Sequence, residues 1–378
     1  MVENWREGGF GLYIHWPFCQ AKCPYCDFNS HVADRIDESR WLSCYLTEIN
    51  RYSSETAGRT LSSVYFGGGT PSLMSPDTVA GIMDAVRTAW PVANDLEVTL
   101  EANPTSVEAG RFHGFREAGV SRVSMGLQAM NDRDLVRLGR LHSAAEGRAA
   151  FDTARRAFDR VSFDLIYARQ HQTLAHWRDE LAEALALAAD HLSLYQLTIE
   201  DGTAFGERFA RGRLPGLVAD DNAAAMYDLT QEMCDAAGLP AYEVSNHAGD
   251  LAQSRHNLIY WRGGDYVGIG PGAHGRISRD GRRHATETEP SPAGWLARVA
   301  RDGHGETRRT ALSPTEQAEE YAMMALRLVE GLDRRRYARI RGTDFNPARL
   351  ARLEELGVIW VGATHVRATP AGRRVLNA

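Results

Sequence analysis

Six short apolar segments, separated by longer stretches with helical spacing, fill the first half of this chain and leave few folds open to it. Leu12–Trp16, Ser63–Phe66, Leu96–Glu101, Arg122–Gly126, Val161–Tyr167 and His191–Ile199 read as strands. Between them Arg40–Tyr52, Pro76–Ala89, Val107–Ala118, Asp132–Leu138, Ala144–Phe158 and Leu174–Ala189 read as helices. A strand that returns parallel to its predecessor through a helix builds an α/β sheet, either open and doubly wound or closed into a full or partial barrel. In both cases chemistry collects at the C-terminal ends of the strands.

The residue types at those ends agree with that expectation. Gly67-Gly68-Gly69-Thr70-Pro71 follows the second strand, and Glu101 and Asn103 close the third. Gln128 follows the fourth, Asp164 lies on the fifth and Gln196 on the sixth. Solvent at strand ends accounts for any one of them, but their recurrence predicts a convergent polar site.

Beyond Glu200 the alternation stops. Ala223–Ala237 reads as a helix, Ala241–Ser245 as a strand, Gly263–Gly275 as a turn-rich loop and Pro290–Pro292 as a boundary. From Pro314 onward two helices, Glu316–Glu330 and Pro347–Leu356, precede a hairpin at Val358–Ala368, which describes a mainly helical, winged-helix-like appendage. Residues 311–378 hold eleven arginines against eight acidic residues, which reads as a solvated face on a covering domain. The whole chain of 378 residues is acidic, with net charge −6, so no nucleic-acid partner is expected.

Met1–Gly11 carries Glu3, Arg6 and Glu7 and no apolar run of signal-peptide type. Leu181–Ile199 is broken by Glu183, Asp190 and His191, short of the ~20 apolar residues a membrane span needs. A cytoplasmic protein is expected, with peripheral membrane contact left open. Five cysteines are too few and too clustered for a disulfide framework, so reduced thiols are expected. Cys44 and Cys234 stand alone on helices as apolar residues.

Cys19, Cys23 and Cys26 form CxxxCxxC directly after the first strand. Three thiolates on one loop can hold three corners of an iron–sulfur cluster and leave one iron without protein sulfur. The competing reading is structural zinc, with His15 or His31 as the fourth ligand.

CxxxCxxC with Tyr25 before its last cysteine, followed by the GGGTP loop, resembles the radical S-adenosylmethionine (SAM) superfamily. The run Tyr13–Phe28, the segments Ser124–Gln128 and Asp164–Tyr167, and the C-terminal appendage resemble the oxygen-independent coproporphyrinogen III oxidase family within it. That oxidase motif continues to a fourth cysteine where this chain has Phe28. With His256-Asn257-Leu258-Ile259-Tyr260-Trp261, an HNxxYW motif, and the run Gly268–Gly275, the chain looks like the HemW-type heme chaperone branch. It departs from many relatives at Ala168-Arg169-Gln170, where they carry Gly-Leu-Pro, so the shape of that loop is open.

The resemblance implies a partial (β/α)6 barrel, a radical SAM core over residues 4–240 with its strands ending near 200, a linking segment over 241–304, and a HemN-like domain over 305–378. It implies a [4Fe-4S] cluster on Cys19, Cys23 and Cys26, and exchangeable SAM against Tyr13, Tyr25, Gly68, Gly69, Thr70, Glu101, Gln128, Arg140 and Asp164. It further implies heme as cargo, an unidentified acceptor protein, and no coproporphyrinogen oxidase activity. The alternative is a radical SAM oxidoreductase or methyltransferase acting on a porphyrin-like substrate. His256, beside Tyr260 and Trp261, is the expected heme ligand and His274 the runner-up; the other expectation for the motif is a packed helix with His256 hydrogen-bonded and Trp261 buried.

Overall fold

The computed structural model describes residues 5–376 other than Asp34, and the backbone alone at Ser106 and Val107; the expected start of the core at residue 4 lies outside them. All six expected strands form: β1 (Phe10–Trp16), β2 (Leu61–Gly68), β3 (Val92–Ala102), β4 (Arg122–Gln128), β5 (Arg160–Tyr167) and β6 (His191–Gln196). They pair in sequence order, each parallel to the next. Such strands are covered on both faces, and β1 accordingly buries Leu12, Ile14 and Trp16 together with Gly11 and His15.

Local chemistry sets the helix starts. After α1 (Glu38–Glu55), α2 (Pro76–Ala89) opens with the Ser75 hydroxyl accepting from the Thr78 N–H and with proline in its first turn. The next long helix, α3 (Ala144–Ala157), opens on a reciprocal capping box of Ser143 and Glu146. The expected helix Val107–Ala118 is two short ones, Ser106–Ala109 and Phe112–Glu117, because the chain turns at Gly110.

The chain beyond β6 differs from the sequence reading. The expected strand Ala241–Ser245 contributes only a bridge from Ala241 to His247, and the strand itself is β7 (Asn246–Ala248), antiparallel to β6. The motif helix α4 (Arg255–Trp261) follows. The expected loop Gly263–Gly275 contains β8 (Asp265–Ile269), a seventh parallel strand paired to the free side of β1. Flanking glycines mask its five residues. From β8 the sheet continues antiparallel through β9 (His274–Arg279), β10 (Arg282–Thr288) and β11 (Glu306–Ala311). The result is one open sheet of eleven strands, ordered β11-β10-β9-β8-β1-β2-β3-β4-β5-β6-β7.

Pro290–Pro292 therefore does not release the chain from the body. Helix α5 (Pro292–Asp302) returns to α1, where Trp295 stacks on Trp41 at 5.4 Å and 9°. Past the edge strand β11 comes a small unit of α6 (Pro314–Ala325), α7 (Arg334–Arg341), α8 (Pro347–Glu355) and a sheet of Leu332–Asp333, His365–Ala368 and Ile359–Val361. Sequence periodicity missed α7, whose five arginines in eight residues hide its apolar stripe. Ion pairs fasten this unit to the body, Arg276 to Glu320 at 2.8 Å and Arg262 to Glu330 at 2.7 Å.

Asp265 on β8 holds the added strands to the barrel. Its side chain is fully buried, accepts from Arg59 at 2.7 Å and from the Ser278 hydroxyl at 3.0 Å, and lies 3.7 Å from Arg283. Removing one partner of a buried ion pair strands the other charge, so Asp265→Ala is expected to cost about 3–5 kcal/mol. Denaturant melts would show it as a lower midpoint with unchanged slope; a midpoint equal to wild type would contradict it.

Candidate functional site

The cysteine loop leaves β1 at Trp16 and folds back through a short parallel bridge between Phe18–Cys19 and His31–Val32. The Cys26 N–H donates to the Cys23 carbonyl at 3.1 Å, which turns the two thiols onto one compact loop. The glycine loop after β2 leans on it, with the Gly69 N–H donating to the Trp16 carbonyl at 2.7 Å and the Thr70 N–H to that of Phe18 at 2.8 Å. Such closeness needs glycine: Gly68 has φ +108°, and a Cβ there would sit 2.6 Å from the His15 ring.

Donors point at the sulfurs. The Thr70 hydroxyl reaches Cys19 Sγ at 3.4 Å, and Arg140 Nη1 reaches Cys23 Sγ at 3.5 Å. Arg140 also donates to Asn103 Oδ1 at 2.6 Å and the Gly126 carbonyl at 2.8 Å, and Asn103 in turn donates to Thr70 at 3.1 Å. Thr70, Asn103 and Arg140 thereby form one linked wall. Sequence reasoning placed Asn103 at a strand end and missed this bridging part. Its signal was the position two residues past Glu101.

The thiols fit an iron–sulfur cluster. All five cysteines are unpaired, and the three on the loop are half-buried. Burial pushes the Cys19 and Cys26 thiols up, a penalty that bonding to iron as thiolate would relieve. Of the two histidines expected as a fourth zinc ligand, His15 has both nitrogens engaged, Nδ1 3.1 Å from the Tyr13 hydroxyl and Nε2 2.9 Å from the Asn29 carbonyl, and His31 Nε2 lies 3.1 Å from Asn29 Oδ1.

Glu101 and Asp164 stand deeper in the barrel. Glu101 accepts from the Tyr65 hydroxyl at 2.8 Å and Asp164 from the Ser124 hydroxyl at 3.3 Å. Burial pushes Glu101 up to about 7 and Asp164 up to about 6. The two half-buried carboxyls, close enough for Asp164 to raise Glu101, suit a cationic ligand. The Arg140 Nε is buried and unpartnered, which suits an incoming carboxylate. Gln128 sits at φ 70° at the end of β4, a left-handed backbone that bulky residues rarely adopt. Tyr25 lies beside Cys23 and Arg140 and packs towards Phe205 at 6.5 Å. Tyr13 lies in the barrel, its hydroxyl 3.1 Å from His15 Nδ1 and its ring stacked on Tyr65 at 6.2 Å.

The loop in doubt also has a definite form. Ala168 takes φ 56°, the conformation glycine would adopt without penalty. Arg169 turns inward, buried, and pairs with Asp134 at 3.0 Å and with Glu180.

The HNxxYW helix α4 lies beneath this site. His256 is 2% exposed, its Nδ1 3.0 Å from the Ser63 hydroxyl and its Nε2 2.8 Å from that of Tyr260. Its ring stacks on Tyr65 at 4.6 Å, and burial holds it neutral, down to about 3. Tyr260 meets Tyr266 edge-on at 4.3 Å, and Arg327 lies over the Trp261 ring at 5.4 Å. Both His256 nitrogens are thus engaged inside the protein, as the packed-helix expectation has it, while Trp261 is half-buried rather than buried. His274 is exposed at the start of β9, close enough to lower the basicity of His15.

Comparison with known proteins agrees with this geometry. A model described as the radical SAM superfamily matches residues 13–184, and one described as the HemN C-terminal domain matches residues 312–375. The protein named heme chaperone HemW of Escherichia coli (strain K12) is 38% identical over 330 residues, 85% of this chain and 84% of that protein. The HemW protein of Bacillus subtilis is 32% identical over 370 residues, 97% and 96% of the two chains. The bovine radical S-adenosyl methionine domain-containing protein 1, named as mitochondrial, is 42% identical over 85% of this chain and 74% of its own. The solved structure of E. coli coproporphyrinogen III oxidase superposes with a TM-score of 0.81 at 21% identity, over 99% of this chain and 90% of that one, which speaks to the fold. The chain belongs to the HemW family of the radical SAM superfamily.

Proposed function

We propose that this protein is a heme chaperone, which holds heme and passes it to an acceptor protein while carrying a [4Fe-4S] cluster and exchangeable SAM. Cys19, Cys23 and Cys26 are the cluster ligands in this reading. Tyr13, Tyr25, Gly68, Gly69, Thr70, Glu101, Gln128, Arg140 and Asp164 form the SAM pocket. When bound, cluster and SAM supply reductive cleavage of SAM to a 5′-deoxyadenosyl radical. The chain's own residues bind and orient: Thr70 and Arg140 direct hydrogen bonds at the sulfurs, and Glu101 and Asp164 offer charge to a cation.

The observation that carries the chaperone reading over an oxidase one is Phe28. It stands 56% exposed on the lip of the cysteine loop, where the oxidase motif has a further cysteine. HemW relatives with 32% and 38% identity over most of the chain support the same reading. A radical SAM oxidoreductase or methyltransferase acting on a porphyrin-like substrate is the second reading, because the same pocket would serve it.

Ligation of heme iron by His256 would need its Nε2 freed from Tyr260 and α4 drawn away from Tyr65. His274 lies near His15, beside the cysteine loop, and we assign it to the SAM end of the barrel. No helix among the described residues is long and apolar enough to cross a membrane. The unpaired cysteines support our reading of a protein that works in a reducing compartment such as the cytoplasm. The domain division that suits the sheet gives β11 to the body and starts the small unit near Leu312.

Anaerobic reduction with SAM and coproporphyrinogen III is expected to leave the substrate undecarboxylated, and hemin titration to saturate near about one heme per chain. Protoporphyrinogen among the products would move the protein to the oxidase reading. Absence of any hemin binding would remove the chaperone reading.

A further inference from the structure

The small C-terminal unit has two hydrophobic clusters where a unit of its size would have one. Tyr321, Ala325 and Leu332 make the first; Leu350, Ile359 and Val366 make the second. Leu326 and Phe345 touch both, and between the clusters lies a cavity of about 310 Å³. The space opens to solvent past exposed Arg341, Thr343, Asp344, Asn346 and Arg349, and its volume lies within the range of small-molecule sites.

The lining is specific. Leu326, Leu332, Leu350, Ile359 and Val366 form apolar walls. Tyr337 and Phe345 in the wall stack on each other at 3.7 Å and 10°, which leaves their outer faces and edges for a planar ring. Two guanidiniums stand among the exposed lining residues. Arg341 spends one nitrogen on the Thr315 hydroxyl, and the Arg349 side chain has no protein partner among the described residues. Nearby Asp344 is already paired with Arg334 at 2.8 Å, so it does not cancel them. An apolar, aromatic-walled groove with two guanidiniums among its exposed lining residues is complementary to a flat ring system carrying two carboxylates on one edge.

We propose that this cavity is where the protein docks its porphyrin, with the apolar edge of the macrocycle between the two clusters and the carboxylate edge on Arg341 and Arg349. The proposal rests on the heme reading above and adds a place for the cargo. It also explains how a buried His256 and a heme-binding role coexist, since recognition runs through the ring and its carboxylates rather than through the barrel floor. Metal-free protoporphyrin IX should therefore bind as well as hemin does, and the dimethyl ester of hemin should not.

The test uses the full chain with its cluster reconstituted. Hemin, metal-free protoporphyrin IX and hemin dimethyl ester are titrated against wild type, Arg341→Glu/Arg349→Glu, Leu353→Trp and His274→Ala, with thermal melts run alongside. The charge reversal changes two exposed side chains, and Leu353→Trp narrows the cavity from its half-exposed rim. Weakening of both free acids by about tenfold or more in the double variant, as expected for lost charge-assisted bonds, with a similar loss in Leu353→Trp and an unchanged melt, supports the site. Unchanged affinity in the double variant overturns it, as does a porphyrin affinity that depends on His274 alone. Wild type that binds neither free acid overturns the heme reading itself, an outcome separable from the other two.

Discussion

Cys19→Ala, Cys23→Ala and Cys26→Ala are each expected to take the anaerobically reconstituted protein from about four irons and four sulfides per chain to essentially none. The reason is local. The three thiols sit on one loop, the Cys26 N–H is tied to the Cys23 carbonyl, and Thr70 and Arg140 aim donors at Cys19 and Cys23. No sulfur elsewhere can take over, because Cys44 and Cys234 are buried on helices α1 and Asp220–Ala236. Cys44→Ala and Cys234→Ala are expected to keep full iron and sulfide content. Iron and sulfide analysis with the visible absorption spectrum decides the matter; a cluster retained in Cys23→Ala would show the ligand assignment to be wrong.

The second large effect concerns SAM. Asp164→Ala and Glu101→Ala are each expected to weaken SAM binding by about tenfold, the scale of a lost hydrogen bond to a charged group. Each should also reduce the change that SAM causes in the EPR signal of the reduced cluster. Burial raises both carboxyls, Glu101 to about 7 and Asp164 to about 6, so below those values they are neutral in the empty pocket. A cation then binds only after a proton leaves. Affinity is therefore expected to fall as pH drops from 7 towards 5 and to level off above 7, and Asp164→Asn should flatten part of that slope. A pH-independent affinity, or an EPR signal unmoved by saturating SAM, would contradict the assignment.

Much of the barrel was legible because each parallel strand is a compact apolar run bounded by a helix with a strong opening signal. Ser75-Pro76 and the Ser143/Glu146 box are such signals, and the helices start where they say. The cysteine spacing and GGGTP were legible for a different reason: both are local in sequence, and the backbone bonds from Gly69 and Thr70 bring the two loops together. What escaped were features made by distant pieces. β8 is five residues between glycines, and its strand character comes from β1, more than two hundred residues earlier. Asn29 escaped likewise, although its amide bonds the carbonyls of Pro271 at 3.0 Å and Pro290 at 2.9 Å and so ties the cysteine loop to the far end of the chain. The HNxxYW helix was found as a motif, but its burial depends on Ser63 and Tyr65 of β2, which sequence spacing does not connect to it.

The open sheet has two free edges, and an unpaired strand edge is a template on which another chain can add itself. Here both edges are poor templates. β7 is three residues long, too short to seed an intermolecular ladder. β11 carries Arg308 and Arg309 side by side, with Arg308 two-thirds exposed and Arg309 anchored to Glu55 at 2.7 Å and Glu306 at 2.8 Å. Arg308 also lies 3.7 Å from Glu287, so a second copy adding to β11 would have to displace long charged side chains and their ion pairs, a device that blunts a sheet edge. An eleven-stranded sheet that never closes on itself is in this way protected against edge-to-edge aggregation, and the protection resides in a segment remote from the cysteine loop.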